Sequence, residues 1–201
     1  NALCPSGLWE RSAMRQLVTL IALLVPLMAV AQDRDGNDTA GDWVTTHYQS
    51  FGQWDSACDE RPLTTEPGSG IERRCYLRYV DVFSPRPEFA AQFVFVAHEG
   101  NGVRVRFGSE PGTRFVRGGF RVERDGRTVW STARAECLTG GECIFRNEEG
   151  AGLLEVLRQG GVWRFDFTDR HGKLRSLTWD LSPFATAFAD LTAETDKRGL
   201  R

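Results

Sequence analysis

The residues best spaced for chemistry in this sequence are four cysteines, Cys58, Cys75, Cys137 and Cys143. The last two close the unit Cys137-Leu138-Thr139-Gly140-Gly141-Glu142-Cys143, whose glycines tolerate the positive φ of a tight reversal. Such thiols can oxidise in pairs, hold a metal or exchange disulfides. Zinc sites and disulfide exchangers favour Cys-x-x-Cys, and the sequence contains none. Four cysteines allow three pairings, and neighbour pairing, Cys58–Cys75 and Cys137–Cys143, is expected. Each of those pairs brackets turn formers: Pro62, Pro67, Gly68 and Gly70 in one, Gly140-Gly141 in the other.

The remaining reactive types are scattered. His47, His98 and His171 show no helical i, i+4 pairing for a metal, and no Gly-x-Ser-x-Gly elbow presents a serine nucleophile. Glu136, Glu142, Glu148 and Glu149 are acids that could hydrolyse a glycan only at a fixed separation, which nothing in the sequence imposes. No catalytic residue, cofactor site or metal site is therefore expected. Arginines are more suggestive. Arg73, Arg74 and Arg78, then Arg104, Arg106, Arg114, Arg117 and Arg121, form a candidate positive stripe. Strand alternation would put Arg104 and Arg106 on one face. Arg104, Arg106, Gly140, Gly141 and Glu142 are the candidate interaction residues, for an envelope protein or a polyanionic ligand.

The chain has 201 residues, 41% hydrophobic and 26% charged, with a formal net charge of −2. That suffices for one domain with a real core and gives no field that would draw nucleic acid. The front end reads as a processed leader. Met14-Arg15 is a basic start, Leu17 to Leu27 is an apolar run too short for a comfortable span, and Ala29-Val30-Ala31 is a small-x-small cleavage site. Cleavage between Ala31 and Gln32 would export the protein to the periplasm, leaving no transmembrane span. It would also remove Cys4 and leave an even set of cysteines in an oxidising space. Residues 1–31 are thus expected to be upstream extension plus signal peptide, 32–42 a disordered polar lead-in, 43–194 one β-rich domain and 195–201 a charged tail.

The elements that must position these residues are mostly strands. Trp43, Tyr48, Phe51 and Trp54 mark one or two strands, then 59–70 reads as a loop. Strands are expected over Glu72–Phe83, Phe89–Ala97 and Val103–Phe107. Within them, Phe93-Val94-Phe95-Val96 reads as a central apolar run, and Val103, Val105 and Phe107 alternate with arginines. Asp125-Gly126 between two alternating runs predicts a type I′ hairpin. A short helix is expected over Gly150–Arg158, a strand pair around 169–172, and a closing amphipathic helix with Ser182 as N-cap and Phe184, Phe188 and Leu191 on its buried stripe. The fold class that follows is mainly β: an antiparallel β-sandwich or open barrel with a short C-terminal helix.

This pattern resembles the invasion-associated locus B family of exported bacterial proteins. The similarity lies in Phe51-Gly52-Gln53-Trp54 ahead of Cys58, in Cys75-Tyr76-Leu77, and in Pro111-Gly112 followed by Phe115 and Gly119. It continues through the Cys137–Cys143 unit, which has one residue more than the family element, to the Leu177–Leu191 strand and helix. The resemblance implies a mainly β, disulfide-bonded protein of the periplasm or outer envelope, with no catalytic residues to carry over. Some relatives are tied to host-cell invasion, and others occur in free-living bacteria. The expected role is a binding or interaction protein without catalytic activity. The alternatives are an inhibitor that inserts Leu138–Glu142 into an exported enzyme such as a cell-wall hydrolase, and a glycan hydrolase.

Overall fold

The computed structural model describes residues 43–63, 68 and 70–201. The leader, its cleavage site and the polar lead-in all lie outside these residues. Among the described residues, ten strands form two antiparallel sheets. The larger holds β1 (Val44–Phe51), β2 (Trp54–Pro62), β3 (Ile71–Ser84), β4 (Ala90–Glu99), β5 (Gly102–Ser109) and β8 (Gly141–Phe145), side by side in that order. The smaller runs β10 (Leu174–Asp180), β9 (Val162–Thr168), β6 (Arg114–Arg124), β7 (Arg127–Ser131). The chain switches sheets after β5 and returns through α1 (Ala135–Leu138) to β8. Helix α2 (Asn147–Arg158) packs near β5, and α3 (Phe184–Lys197) packs on β1 to β3. The arrangement is a sandwich, not a closed barrel.

Alternation in the strands decides what lies between the layers. Trp54 and Cys58 of β2, Cys75 and Leu77 of β3, Val94 and Val96 of β4, and Val103, Val105 and Phe107 of β5 all point inward and are buried. Phe120, Trp163, Phe165 and Trp179 meet them from the smaller sheet. Phe107 stacks on Phe165 with ring centroids 5.4 Å apart, and Phe165 meets Trp179 edge-on at 4.6 Å. The indoles bring polar handles that need partners when buried. Trp54 Nε1 donates to the Asp180 carbonyl at 3.1 Å, and Trp179 Nε1 donates to Asp81 at 2.9 Å, so both bonds cross the layers. Phe184 caps the interior, edge-on to Trp54 at 4.8 Å.

Both expected cysteine pairs are joined. Cys58 and Cys75 stand directly opposite on β2 and β3 with Cα atoms 4.1 Å apart, and Cys137 and Cys143 have Cα atoms 5.0 Å apart. Asp125 and Gly126 both have positive φ, 51° and 72°, as a type I′ hairpin requires.

Several local readings change. Asp59 to Pro62 belong to β2, not to a loop, because Asp59, Glu60 and Arg61 all find partners on β3. The Cys137 end of the small ring is a turn of helix, not part of a plain reversal. Helix α2 starts at Asn147, three residues earlier than Gly150. Ser182 does not cap α3: its hydroxyl donates to Asp180 at 2.7 Å, and Pro183 occupies the cap position. The same helix runs to Lys197, with Thr195 buried and bonded to the Leu191 carbonyl, so it enters the segment read as tail.

Phe107 sits at the centre of the aromatic stack, whereas Val129 on β7 is solvent-facing. Phe107→Ala is expected to destabilise the fold by about 3–5 kcal/mol in urea unfolding. Val129→Ala should change it by less than about 0.5 kcal/mol. Equal midpoints for the two variants would contradict this packing.

Candidate interaction surface

The side chains that alternate with the core residues form the outer face of the larger sheet. Tyr76, Val80 and Val82 come from β3, Ala91, Phe93 and Phe95 from β4, and Gly108 from β5. Cross-strand register pairs Val80 with Phe93, Val82 with Ala91, and Phe93 with Gly108. The Phe93 ring lies over Gly108 so closely that a Cβ there would collide with it. Tyr76 and Phe95 meet edge-on at 5.5 Å, as do Phe93 and Phe95. Val80 and Val82 remain 48% and 47% exposed. No described helix covers this strip, because α2 and α3 occupy the inner side of the sheet.

Five arginines frame the strip, each beside a carboxylate. Arg61 pairs with Glu72 at 2.7 Å, Arg74 with Asp59 at 3.0 Å, and Arg78 with Asp55 at 3.3 Å. On the other flank Arg104 pairs with Glu99 at 3.2 Å and Arg106 with Glu142 at 3.0 Å. The arginines also lie over aromatic rings, Arg74 at 3.8 Å from the Trp43 centroid and Arg106 at 5.4 Å from that of Phe95. Such contacts hold a guanidinium flat on an apolar surface. Asp59 is the best-anchored acid of the set. It accepts from Thr45 Oγ1 at 3.0 Å, Tyr76 Oη at 2.8 Å, and Arg74 Nη2 at 3.0 Å. Burial and the Asp59 bond push the Tyr76 hydroxyl above its ordinary pKa, so it stays a donor.

The structure brings the sequence candidates together. Arg104, Arg106 and Glu142 share this face, and Glu142 closes the Arg106 pair across β5 and β8. Gly140 and Gly141 form the adjacent turn with positive φ of 78° and 102°. A Cβ at Gly140 would come 2.8 Å from the Glu110 carbonyl oxygen, so the ring lies against the Pro111-Gly112 turn. The other arginines of the expected stripe disperse: Arg73 pairs with Glu60, while Arg121 pairs with Glu123 and Asp166 on the smaller sheet. The aromatic strip itself was missed from the sequence. Phe93 and Phe95 read as core within a continuous apolar run, although the alternation of β4 turns them outward.

The other candidates for chemistry are separated. His47 Nε2 lies 2.8 Å from Asp190 on α3, and the His171 backbone N–H donates to Asp169 at 2.9 Å. His98 Nε2 is 3.1 Å from Thr192 Oγ1, in an open groove of about 760 Å³ between α2 and α3. Burial, helped by Arg201, holds His98 below its ordinary pKa. Glu136 and Glu149 both turn to Arg134. Among the described residues, no group of three metal-ligating side chains stands together.

Asp169 supplies a pH test of how tightly the smaller sheet's turn is held. Burial opposes its charge, but the Lys173 N–H, the Arg175 guanidinium and the His171 N–H outweigh it and hold the carboxyl below its usual range. A depressed folded pKa means stability that is complete above the unfolded value of about 4 and is lost as pH falls through the lower folded value. Asp169→Asn is expected to be less stable at neutral pH and to show a shallower loss of stability below about pH 4. An unchanged acid slope would contradict this assignment.

The fold is similar to the crystal structure of invasion associated protein B from Bartonella henselae, with 16% sequence identity, 75% of this chain and 99% of that chain covered, and a TM-score of 0.48. A likeness at this identity and score transfers no residue role and no activity. No family model matches the chain. No curated protein matches it.

Proposed function

We propose that this is an exported protein of the bacterial cell envelope that acts by binding another protein and catalyses no reaction. The observation that carries the reading is the outer face of the larger sheet, where half-exposed Val80 and Val82 and partly buried Phe93 and Phe95 sit between paired charges. Apolar centres rich in aromatics and arginine, with a polar rim, are the composition of protein contact surfaces. Two disulfides brace the sheet that carries the face, and such bridges persist in oxidising compartments. The reading therefore places the working protein in the periplasm, free or at the outer membrane, after removal of residues 1–31.

The same geometry disfavours the polyanion as ligand. Arg61, Arg74, Arg78, Arg104 and Arg106 already face Glu72, Asp59, Asp55, Glu99 and Glu142, and Arg146 also meets Glu99, so the face carries only one arginine in excess. A polyanion would have to displace five carboxylates. The inhibitor reading is disfavoured as well, because Leu138 packs against the core and Gly140 is wedged on the Glu110–Thr113 turn. A segment committed in this way is poorly placed to enter a foreign active site.

Capture from envelope extract tests the proposal, with wild type compared with Val80→Glu. The expected result is a protein partner retained in about 0.5 M salt, where exposed charge attraction is largely screened. The Val80→Glu variant should lose that partner while keeping its melting temperature within about 2 °C. Retention of the same partner by the variant would overturn the reading, as would a ligand released by moderate salt.

A further inference from the structure

We propose that the outer face of the larger sheet packs against the same face of a second copy of this chain, forming a two-fold dimer. This rests on the reading of that face as a contact surface and names one occupant for it. Three observations on the face select a copy of itself.

The first is charge arrangement. The flank on β2 and β3 carries Arg61, Arg74 and Arg78 with Glu72, Asp59 and Asp55. The flank on β4, β5 and β8 carries Arg104 and Arg106 with Glu99 and Glu142, and Arg146 just past β8 also pairs with Glu99. Both flanks alternate in sign, so either one can meet the other with arginine over carboxylate. An isologous contact needs this self-complementarity. A strongly acidic or basic partner would leave half of these charges facing their like.

The second is the apolar centre. Val80 and Phe93 are register partners between the two flanks, and Val82, Phe95 and Tyr76 extend the strip along the strands. A two-fold axis in the plane of contact through the Val80–Phe93 pair lays the strip on itself. Valines against phenylalanine rings then replace water on both copies, in the manner of sheets stacked face to face.

The third is size. Ten residues of β4 span about 33 Å, and six strands span about 24 Å, so the face offers roughly 800 Å². A stable interface buries about 800 Å² on each partner. Val116, Val129 and Leu174, the exposed large apolar residues of the smaller sheet, stand on three separate strands, β6, β7 and β10, and are not gathered into a strip of this extent.

Sedimentation of the protein recovered from the envelope fraction, at about 50 µM chain, tests the proposal. The wild type is expected to run at twice the chain mass. Val80→Glu should weaken self-association by at least about tenfold, since it desolvates a charge at the centre of the contact. Val129→Glu, on the other sheet, should remain a dimer, and near-ultraviolet circular dichroism should be the same for all three. A wild-type monomer at this concentration would overturn the dimer, and so would a Val80→Glu variant that remains dimeric. If the wild type is a monomer and Val80→Glu still loses its envelope partner, the dimer falls and the contact-surface reading stands. If Val80→Glu loses neither, both fall.

Discussion

Successive side chains on a strand point to opposite faces, and in β3, β4 and β5 both sets have work to do. Leu77, Val94, Val96, Val105 and Phe107 build the sandwich interior. Their immediate neighbours Tyr76, Phe93, Phe95, Arg104 and Arg106 cannot turn inward without expelling the core, so they form an outer face whose composition is fixed as firmly as the core's. A one-residue slip in register would exchange the two sets. The Cys58–Cys75 bridge joins directly opposed residues of β2 and β3, and so pins the register in the middle of that ladder.

The ion pairs on the outer face add little to stability, and in the proposed contact they set its charge pattern. Exposed arginine–carboxylate pairs contribute about 0–1 kcal/mol each, so five of them add little to a fold held by its aromatic interior. Their effect is to cancel the field of the arginines over distances beyond about 10 Å. What remains at close range is a pattern of alternating sign around an apolar strip. Such a surface discriminates by register and shape, and it does not attract by net charge.

Local signals carried much of the architecture. The turn formers between the cysteines led to the correct pairing, and Asp125-Gly126 marked its hairpin, because the chemistry of each reversal lies within a few residues. The alternation of Val103, Val105 and Phe107 with Arg104 and Arg106 separated core from surface on β5. Readings failed on one near competitor and otherwise on partners distant in sequence. Ser182 looked like a cap, but its hydroxyl is taken by Asp180. Asp59 looked like a loop residue, but Arg74 and Tyr76 draw it into β2. The arginine stripe looked cationic because the pairing of Arg106 with Glu142 depends on β5 lying beside β8. Phe93-Val94-Phe95-Val96 has no polar residue to report its alternation, so the outward rings were invisible until the sheet was assembled.

The proposed contact lies on the outer face of the larger sheet. Hydroxyl-radical footprinting of the purified protein, alone at low concentration and then in its assembled state, reads that surface side chain by side chain. Protection is expected to concentrate at Tyr76, Val80, Val82, Phe93 and Phe95, with Val129 and Leu174 on the smaller sheet unchanged. Protection at Val129 and Leu174, with Val80 and Phe93 equally reactive in both states, would contradict that contact.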